Sequence, residues 1–244
     1  MHRFFLSPEH CQTPAPVLDG REAHHALHVL RIKPGETVEI LDGQGGRLKC
    51  LVRQCERRSL SLEVRDRQHL PRTGVPCVLY QGLLKPKAME WVLQKAAELG
   101  TSRIVPLQTR HAVARVDQEA AKLDKWSWIL IDALKQSGGP WLPLLDPPQS
   151  LATCLATELP ELSLAASLQS SCHPRRRFQD FRSDHQRPPR SVGVWIGPEG
   201  DFAAEEMSQL HAGGVRDITL GPRVLRSETA ALCALALVQY ELSD

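Results

Sequence analysis

Two loops carry the residues best suited to chemistry. Gly197-Pro198-Glu199-Gly200-Asp201 follows the apolar run Val192–Ile196, and Gly221-Pro222-Arg223-Val224-Leu225-Arg226 follows Asp217–Leu220. Buried parallel strands read as short apolar runs, and open α/β sheets bind ligands just beyond the carboxyl ends of their strands. Both loops should therefore flank one pocket, with glycines where backbone must approach a ligand closely. A dinucleotide site needs G-x-G-x-x-G and a phosphate-cradling loop ends in G-K-[ST]; the sequence has neither. The pocket is therefore not built chiefly to grip phosphate. Next comes Arg226-Ser227-Glu228-Thr229, where Ser227 reads as a helix cap and Glu228 as a first-turn carboxylate. Arg226 has no such structural explanation; it pairs with Glu228 or Glu199, or faces substrate. An arginine stays protonated and cannot act as a base, but it can steady negative charge as a fixed donor.

The elements that must hold these residues follow from periodicity. Residues 1 to about 70 form a small β-rich region: a strand at Arg3–Leu6, a helix over Asp19–Arg31, and strands at Thr37–Leu41, Arg47–Gln54 and Leu60–Arg65. Asp42-Gly43-Gln44-Gly45-Gly46 is a hairpin signal between the first two of these strands. His24 and His28 share a helix face, which suits a surface or packing role better than a metal site, since no third ligand follows at a suitable spacing. Pro71, Gly74 and Pro76 mark a boundary. Beyond it strands alternate with helices: Cys77–Leu84, a helix opened by Lys85-Pro86-Lys87, Arg103–Leu107, and a long helix capped by Asp117 and running through Gln136. Then come Leu142–Leu145, Ser150–Ala156, Leu162–Ala166, Val192–Ile196, helix Ala203–Ala212, strand Asp217–Leu220 and helix Glu228–Leu242. This alternation predicts a mostly parallel sheet with helices on both faces. The last helix is apolar on all sides from Ala230 to Val238, which predicts burial on every face, with a second subunit covering what the sheet does not.

Bulk properties narrow the classes. The chain has 244 residues, 42% of them hydrophobic, and a net charge of +2. It should be a soluble globule, and its total charge does not announce a nucleic-acid binder. Residues 171–190 do concentrate arginine, and read as a solvated surface loop or, more sharply, as a polyanion contact. The seven cysteines include no C-x-x-C pair, which points to a reducing compartment and away from a disulfide framework or a structural zinc. With no signal-peptide pattern and no apolar run near the ~20 residues a bilayer requires, the expected location is cytoplasmic, without a membrane.

One family shares these motifs. IGPEG at 196–200 pairs with LGPRVLRSETA at 220–230; MHRFF opens the chain; HVLRIKPGETVEILDG begins at His28; K-x-x-x-M-E, ELG and I-x-P-L lie between Lys85 and Leu107; KQSG spans Lys135–Gly138. In this the chain resembles the RsmE family, the 16S rRNA uridine-N3 methyltransferases of the SPOUT, or trefoil-knot, class. The resemblance implies an α/β fold with a trefoil-knotted, mostly parallel sheet over residues 73–244, and a PUA-like RNA-binding β-barrel over residues 1–72. It implies S-adenosyl-L-methionine (SAM) as cofactor, lined by Leu168, Ile196, Gly197, Glu199, Gly200, Leu220, Gly221, Val224 and Leu225. It implies Arg226 and Arg3 as stabilisers of charge on the uracil, with Glu228 the nearest carboxylate, no metal, and a homodimer acting on 16S rRNA of the small ribosomal subunit. Arg31, Lys33, Lys85, Lys87, Arg110 and Lys135 become the expected RNA contacts. Another SPOUT activity, on ribose 2′-O or guanine, and a non-catalytic RNA-binding protein stay open as alternatives. The sequence departs from the family at Asp201, where a second glycine is usual, at Gly139, where arginine is common, and across 171–190.

Overall fold

The computed structural model describes residues 1–112 and 119–242, and the chain packs as two units. The first comprises Met1–Thr73 together with Ile131–Leu142; the second comprises Gly74–Leu130 and Pro143–Asp244.

In the first unit the elements are β1 (His2–Phe5), α1 (Pro8–Cys11), β2 (Val17–Leu18), α2 (Gly20–His24), β3 (Thr37–Leu41), β4 (Gly46–Cys55) and β5 (Leu60–His69). The sheet order is β1-β3-β4-β5-β2, with β1 parallel to β3 and the other ladders antiparallel. The β3–β4 hairpin turns where the sequence signals it. The Asp42 carboxylate accepts from the amides of Gln44 and Gly46, both at 2.7 Å, and Gly43 and Gly45 take left-handed φ values of 73° and 95°. Phe4, Leu18, Ala26, Ile40, Leu48 and Leu60 fill the core under the helix. That helix is shorter than the pattern suggests. After α2 the backbone widens into a π turn over His25–Val29, and Arg31 leaves it at φ 57°. The His24 and His28 rings do share a face, 4.9 Å apart, and among the described residues no third metal-ligating side chain joins them.

The second unit holds β6 (Cys77–Gly82), α3 (Pro86–Glu98), β7 (Arg103–Gln108), α4 (Glu119–Ser137), β8 (Leu144–Leu145), β9 (Gln149–Ser150), α5 (Leu151–Leu155), β10 (Leu162–Ala166), α6 (Pro174–His185), β11 (Val192–Ile196), α7 (Ala204–Ala212), β12 (Arg216–Ile218) and α8 (Ser227–Leu242). From Ile131 onward α4 belongs to the first unit, and Asp117, expected as its cap, lies outside the described residues. The sheet runs β12-β10-β11-β6-β7-β8, all parallel, with β9 also beside β7. One face carries Tyr80 and Trp195, stacked at 3.7 Å, and packs under α5 and α7; α3, α6 and α8 pack together as a second group. Late strand β11 lies between β10 and β6, a non-sequential order in keeping with the SPOUT class.

One expectation changes, and one is met only in part within a single chain. Residues 171–190 are not a loop: Pro174 opens α6, Phe178 and Phe181 are buried one turn apart, and Gln186 ends it in the left-handed region. Burying each phenylalanine contributes about 1.5–3 kcal/mol, enough to override a polar sequence. Most of its arginines are engaged within the unit. Arg175 pairs with Glu241, Arg176 with Asp180, Arg177 with Asp217, and Arg187 with Glu161, whose carboxyl the Arg187 bidentate contact pulls down to about 2. The polyanion reading of this stretch thereby loses most of its free cations. Helix α8, in turn, buries one face. Ser227, Ala231, Ala234, Leu235 and Val238 recur every three or four residues, while Tyr240 stays 67% exposed. Within one chain the opposite apolar face is open.

Candidate functional site

The glycine-opened loops meet as expected from their strands. At the carboxyl ends of β12, β10, β11 and β6, the adjacent strands on one side of the sheet, lies a cleft of about 1390 Å³. Its floor comes from the loops: Ile196, Gly197 and Glu199 after β11, Leu168 after β10, and Leu220, Gly221, Val224 and Leu225 after β12. Its rim adds Lys85, Lys87 and Trp91 from the start of α3, and Arg223, Arg226 and Glu228. Of the residues expected to line it, only Gly200 does not. Gly200 packs under His111, whose Nδ1 lies 3.0 Å from the Gly200 carbonyl oxygen, so this glycine shapes the turn from behind.

The Gly197–Asp201 turn is tight for a definable reason. A Cβ on Gly197 would sit 2.8 Å from Asp201 Oδ1 and 2.9 Å from the Phe202 nitrogen. The Asp201 amide donates to the Pro198 carbonyl at 3.0 Å, and Glu199 accepts from the Lys85 amide at 3.2 Å, tying the turn to the start of α3. Asp201 itself holds φ 59°, and its carboxylate accepts from the Phe202 amide at 2.8 Å. A left-handed position explains why glycine is usual there and why a short polar side chain is a workable substitute. Asp201→Val, β-branched at positive φ, should destabilise the fold by about 2 kcal/mol, whereas Asp201→Gly should stay within about 1 kcal/mol of the parent. Denaturant melts of the two variants check this; equal stability would mean that the turn is not held as described.

The arginines separate. Arg226 supplies the carbonyl that accepts the first helical bond of α8, from Ala230 at 2.8 Å, so it is the residue at the helix amino end. Its side chain is exposed on the cleft and, among the described residues, makes no hydrogen bond or ion pair, including to Glu199 or Glu228. Ser227 does not cap its helix. It is buried, donates to the Gly197 carbonyl and accepts from Gln81 at 3.0 Å. Arg3 lies in the first unit and does not line the cleft. Its Nε pairs with Glu39 at 2.9 Å and its Nη1 donates to the carbonyls of Lys135 and Gln136, both at 3.1 Å. Gly138, at φ 75°, leaves room for this: a Cβ there would meet Arg3 Cζ at 2.7 Å. Lys135 is 9% exposed, with its ammonium held by Glu22 at 2.6 Å and Asp132 at 3.0 Å, so the KQSG segment builds the first unit and does not offer this lysine to phosphate. Arg110 is exposed and paired with Glu205; Arg31 and Lys33 are exposed and, among the described residues, their side chains have no acidic partner.

Gln81 and Gly82 were missed by sequence reasoning. Both sit at the end of β6 and touch the cleft's loops. Only the strand-ending glycine hinted at them.

Comparison with known proteins defines the class first. The profile of an RNA methyltransferase domain matches residues 71–239, and that of an RNA methyltransferase PUA domain matches residues 18–64. The chain is 32% identical over 227 residues to the ribosomal RNA small subunit methyltransferase E of Mycobacterium bovis, covering 91% of this chain and 85% of that one. It is 26% identical to the Bacillus subtilis protein of the same name, covering 99% and 97%. A solved Legionella pneumophila methyltransferase with bound SAM superposes with a TM-score of 0.87 at 29% identity, covering 98% and 96% of the two chains. The methyltransferase E of Neisseria gonorrhoeae, also bound to SAM, gives 0.83 at 27% identity, covering 98% and 97%. The chain belongs to the ribosomal RNA small subunit methyltransferase E (RsmE) family.

Proposed function

We propose that this protein is a SAM-dependent methyltransferase that acts on N3 of a uridine in 16S rRNA. The observation that carries the reading is the cleft at the strand ends, with an unpartnered arginine at the amino end of α8 facing it. The cleft fits SAM in kind. Ile196, Leu220 and Leu225 offer apolar surface, Gly197 and Gly221 present backbone without a side chain of their own, and no phosphate-gripping motif is present. Its volume exceeds the upper end of the usual range for one small ligand, ~1,000 Å³, and so leaves room for an acceptor base beside the donor.

SAM, when bound, supplies an electrophilic methyl group on a sulfonium, and the protein's task is to place and ready the nucleophile. Uridine N3 carries a proton at neutral pH. Removing it leaves negative charge shared with the flanking carbonyl oxygens. Arg226 can steady that charge, and the free amides at the start of α8 add positive potential on the same side. Glu228, in the first turn of α8 and on the cleft, is the carboxylate nearest in sequence to accept the proton. Arg3, with its donors engaged inside the first unit, is read as a positioning residue there.

The RNA contacts are read separately in each unit: Arg31 and Lys33 in a PUA-like RNA-binding domain over 1–72, and Lys85, Lys87 and Arg110 in the methyltransferase domain over 73–244. The open apolar face of α8 supports a homodimer. Among the described residues no helix is long and apolar enough to cross a membrane, and an rRNA substrate supports a cytoplasmic location. Two measurements test the function. Calorimetry should detect SAM binding, and mass mapping of 16S rRNA should find one uridine unmethylated in a deletion strain and restored by the gene. Restored methylation on a ribose or a guanine would replace this reading with another SPOUT activity; absence of both binding and methylation would leave a non-catalytic RNA-binding protein.

A further inference from the structure

Gln81 is a fully buried amide in the middle of a parallel sheet, one residue from the end of β6. Cys77 and Leu79, which share its side of the strand, are apolar, and packing alone would be served by leucine at the third position. Burying a primary amide is unfavourable unless its groups are paired. Here they are paired in a particular direction. The Gln81 Nε2 donates to the Gly82 carbonyl and to Ser227 Oγ, each at 3.0 Å, and the Ser227 hydroxyl donates onward to the Gly197 carbonyl at 2.5 Å. A hydroxyl has one hydrogen, so once Ser227 donates to Gly197 it can only accept from Gln81. That fixes the amide orientation and leaves Gln81 Oε1 buried without a partner among the described residues, a cost that fold stability alone would not retain.

We propose that Gln81 is a positioning residue for Arg226, acting through Ser227. The inference rests on the functional reading above. The Arg226 side chain makes no hydrogen bond or ion pair among the described residues, so its guanidinium is placed chiefly by its backbone. That backbone is the amino end of α8, and Ser227, the next residue, is the point at which α8 is pinned to the donor-side turn at Gly197 and to strand β6. The central strand, the cofactor loop and the charge-stabilising arginine are thus held by one three-member chain. Small displacements of a catalytic group can lower a rate ~100-fold without loss of binding.

The test uses full-length Gln81→Leu, Ser227→Ala and their double variant, with Ser227→Thr as the hydroxyl-retaining control. Single-turnover methylation of 16S rRNA in small subunits should fall at least ~10-fold in Gln81→Leu and Ser227→Ala, and the double variant should be no worse than the lower single, as expected of one chain. Ser227→Thr should recover most of the rate. SAM affinity by calorimetry should move less than ~3-fold. Amide hydrogen exchange at 230–234, in the first bonded turn of α8, should quicken ~10-fold in Gln81→Leu without any SAM or RNA present. Unchanged exchange and a parental rate in Gln81→Leu overturn the proposal, as do additive losses or a variant whose rate falls only because SAM no longer binds. If the parent protein neither binds SAM nor methylates RNA, the functional reading fails, and the exchange measurement still decides whether Gln81 orders the start of α8.

Discussion

Arg226→Ala should lower turnover ~100-fold or more while changing SAM affinity little, because removing one preorganised donor from a developing charge typically costs 10²–10³ in rate. The geometry gives the expectation its shape. The side chain is exposed on the cleft, so its loss opens no cavity and breaks no internal ion pair, and the melting temperature should stay within a few degrees of the parent. A structural arginine would behave differently: Arg103, whose guanidinium grips the largely buried Asp146 with a 2.6 Å contact, should lower stability when truncated. Arg226→Lys keeps the charge but not the planar fork, and should recover only part of the lost rate. Single-turnover kinetics beside calorimetry separate the outcomes. Parental rates in Arg226→Ala would remove it from the chemistry; a large loss of SAM affinity would make it a cofactor-loop residue.

What the sequence made legible was local. Glycine after a short apolar run located both loops, because a β–α turn at a strand end is written in adjacent residues. The helical spacing of Met89, Val92, Leu93, Ala96 and Leu99 marks the apolar face of α3 for the same reason; the first four are buried, and Leu99, at the helix end, is half-buried. What it hid were partners far along the chain. Ser227 looks like a cap because capping is local, yet its hydrogen bonds go to residues 30 and 146 positions away. Lys135 looks like a surface cation because lysine is rarely buried; its partner Glu22 lies 113 residues earlier. Residues 171–190 looked like a loop because arginine dominates the composition, although two phenylalanines and a proline were enough to set a helix. In each case the reading used neighbours in sequence, and the partners that decide the residue's role lie elsewhere in the chain.

Gly82→Ala should be the most damaging single methyl addition at this site. A Cβ there would stand 2.5 Å from the Pro198 nitrogen, 2.7 Å from its Cδ and 2.9 Å from the Gly197 carbonyl carbon. All three belong to the buried turn that floors the cleft, and two are backbone, so the neighbour cannot give way by changing rotamer. The alternatives are for the turn to retreat into the space proposed for SAM or for β6 to shift in the middle of its sheet. Overpacking of this kind costs about 1–3 kcal/mol in stability. Because the strain falls on the loop proposed to hold the cofactor, SAM affinity should drop by more than the ~10-fold that 1.4 kcal/mol represents. Gly139→Ala is the matched control: its Cβ would meet only Ser137 Oγ at 3.5 Å, an ordinary contact, and neither stability nor binding should change. Calorimetric titration and denaturant melts on both variants decide the matter. A Gly82→Ala protein that melts like the parent and binds SAM as tightly would show that the Gly197–Pro198 turn is not seated against β6, and with it would go the account of how this strand end shapes the pocket.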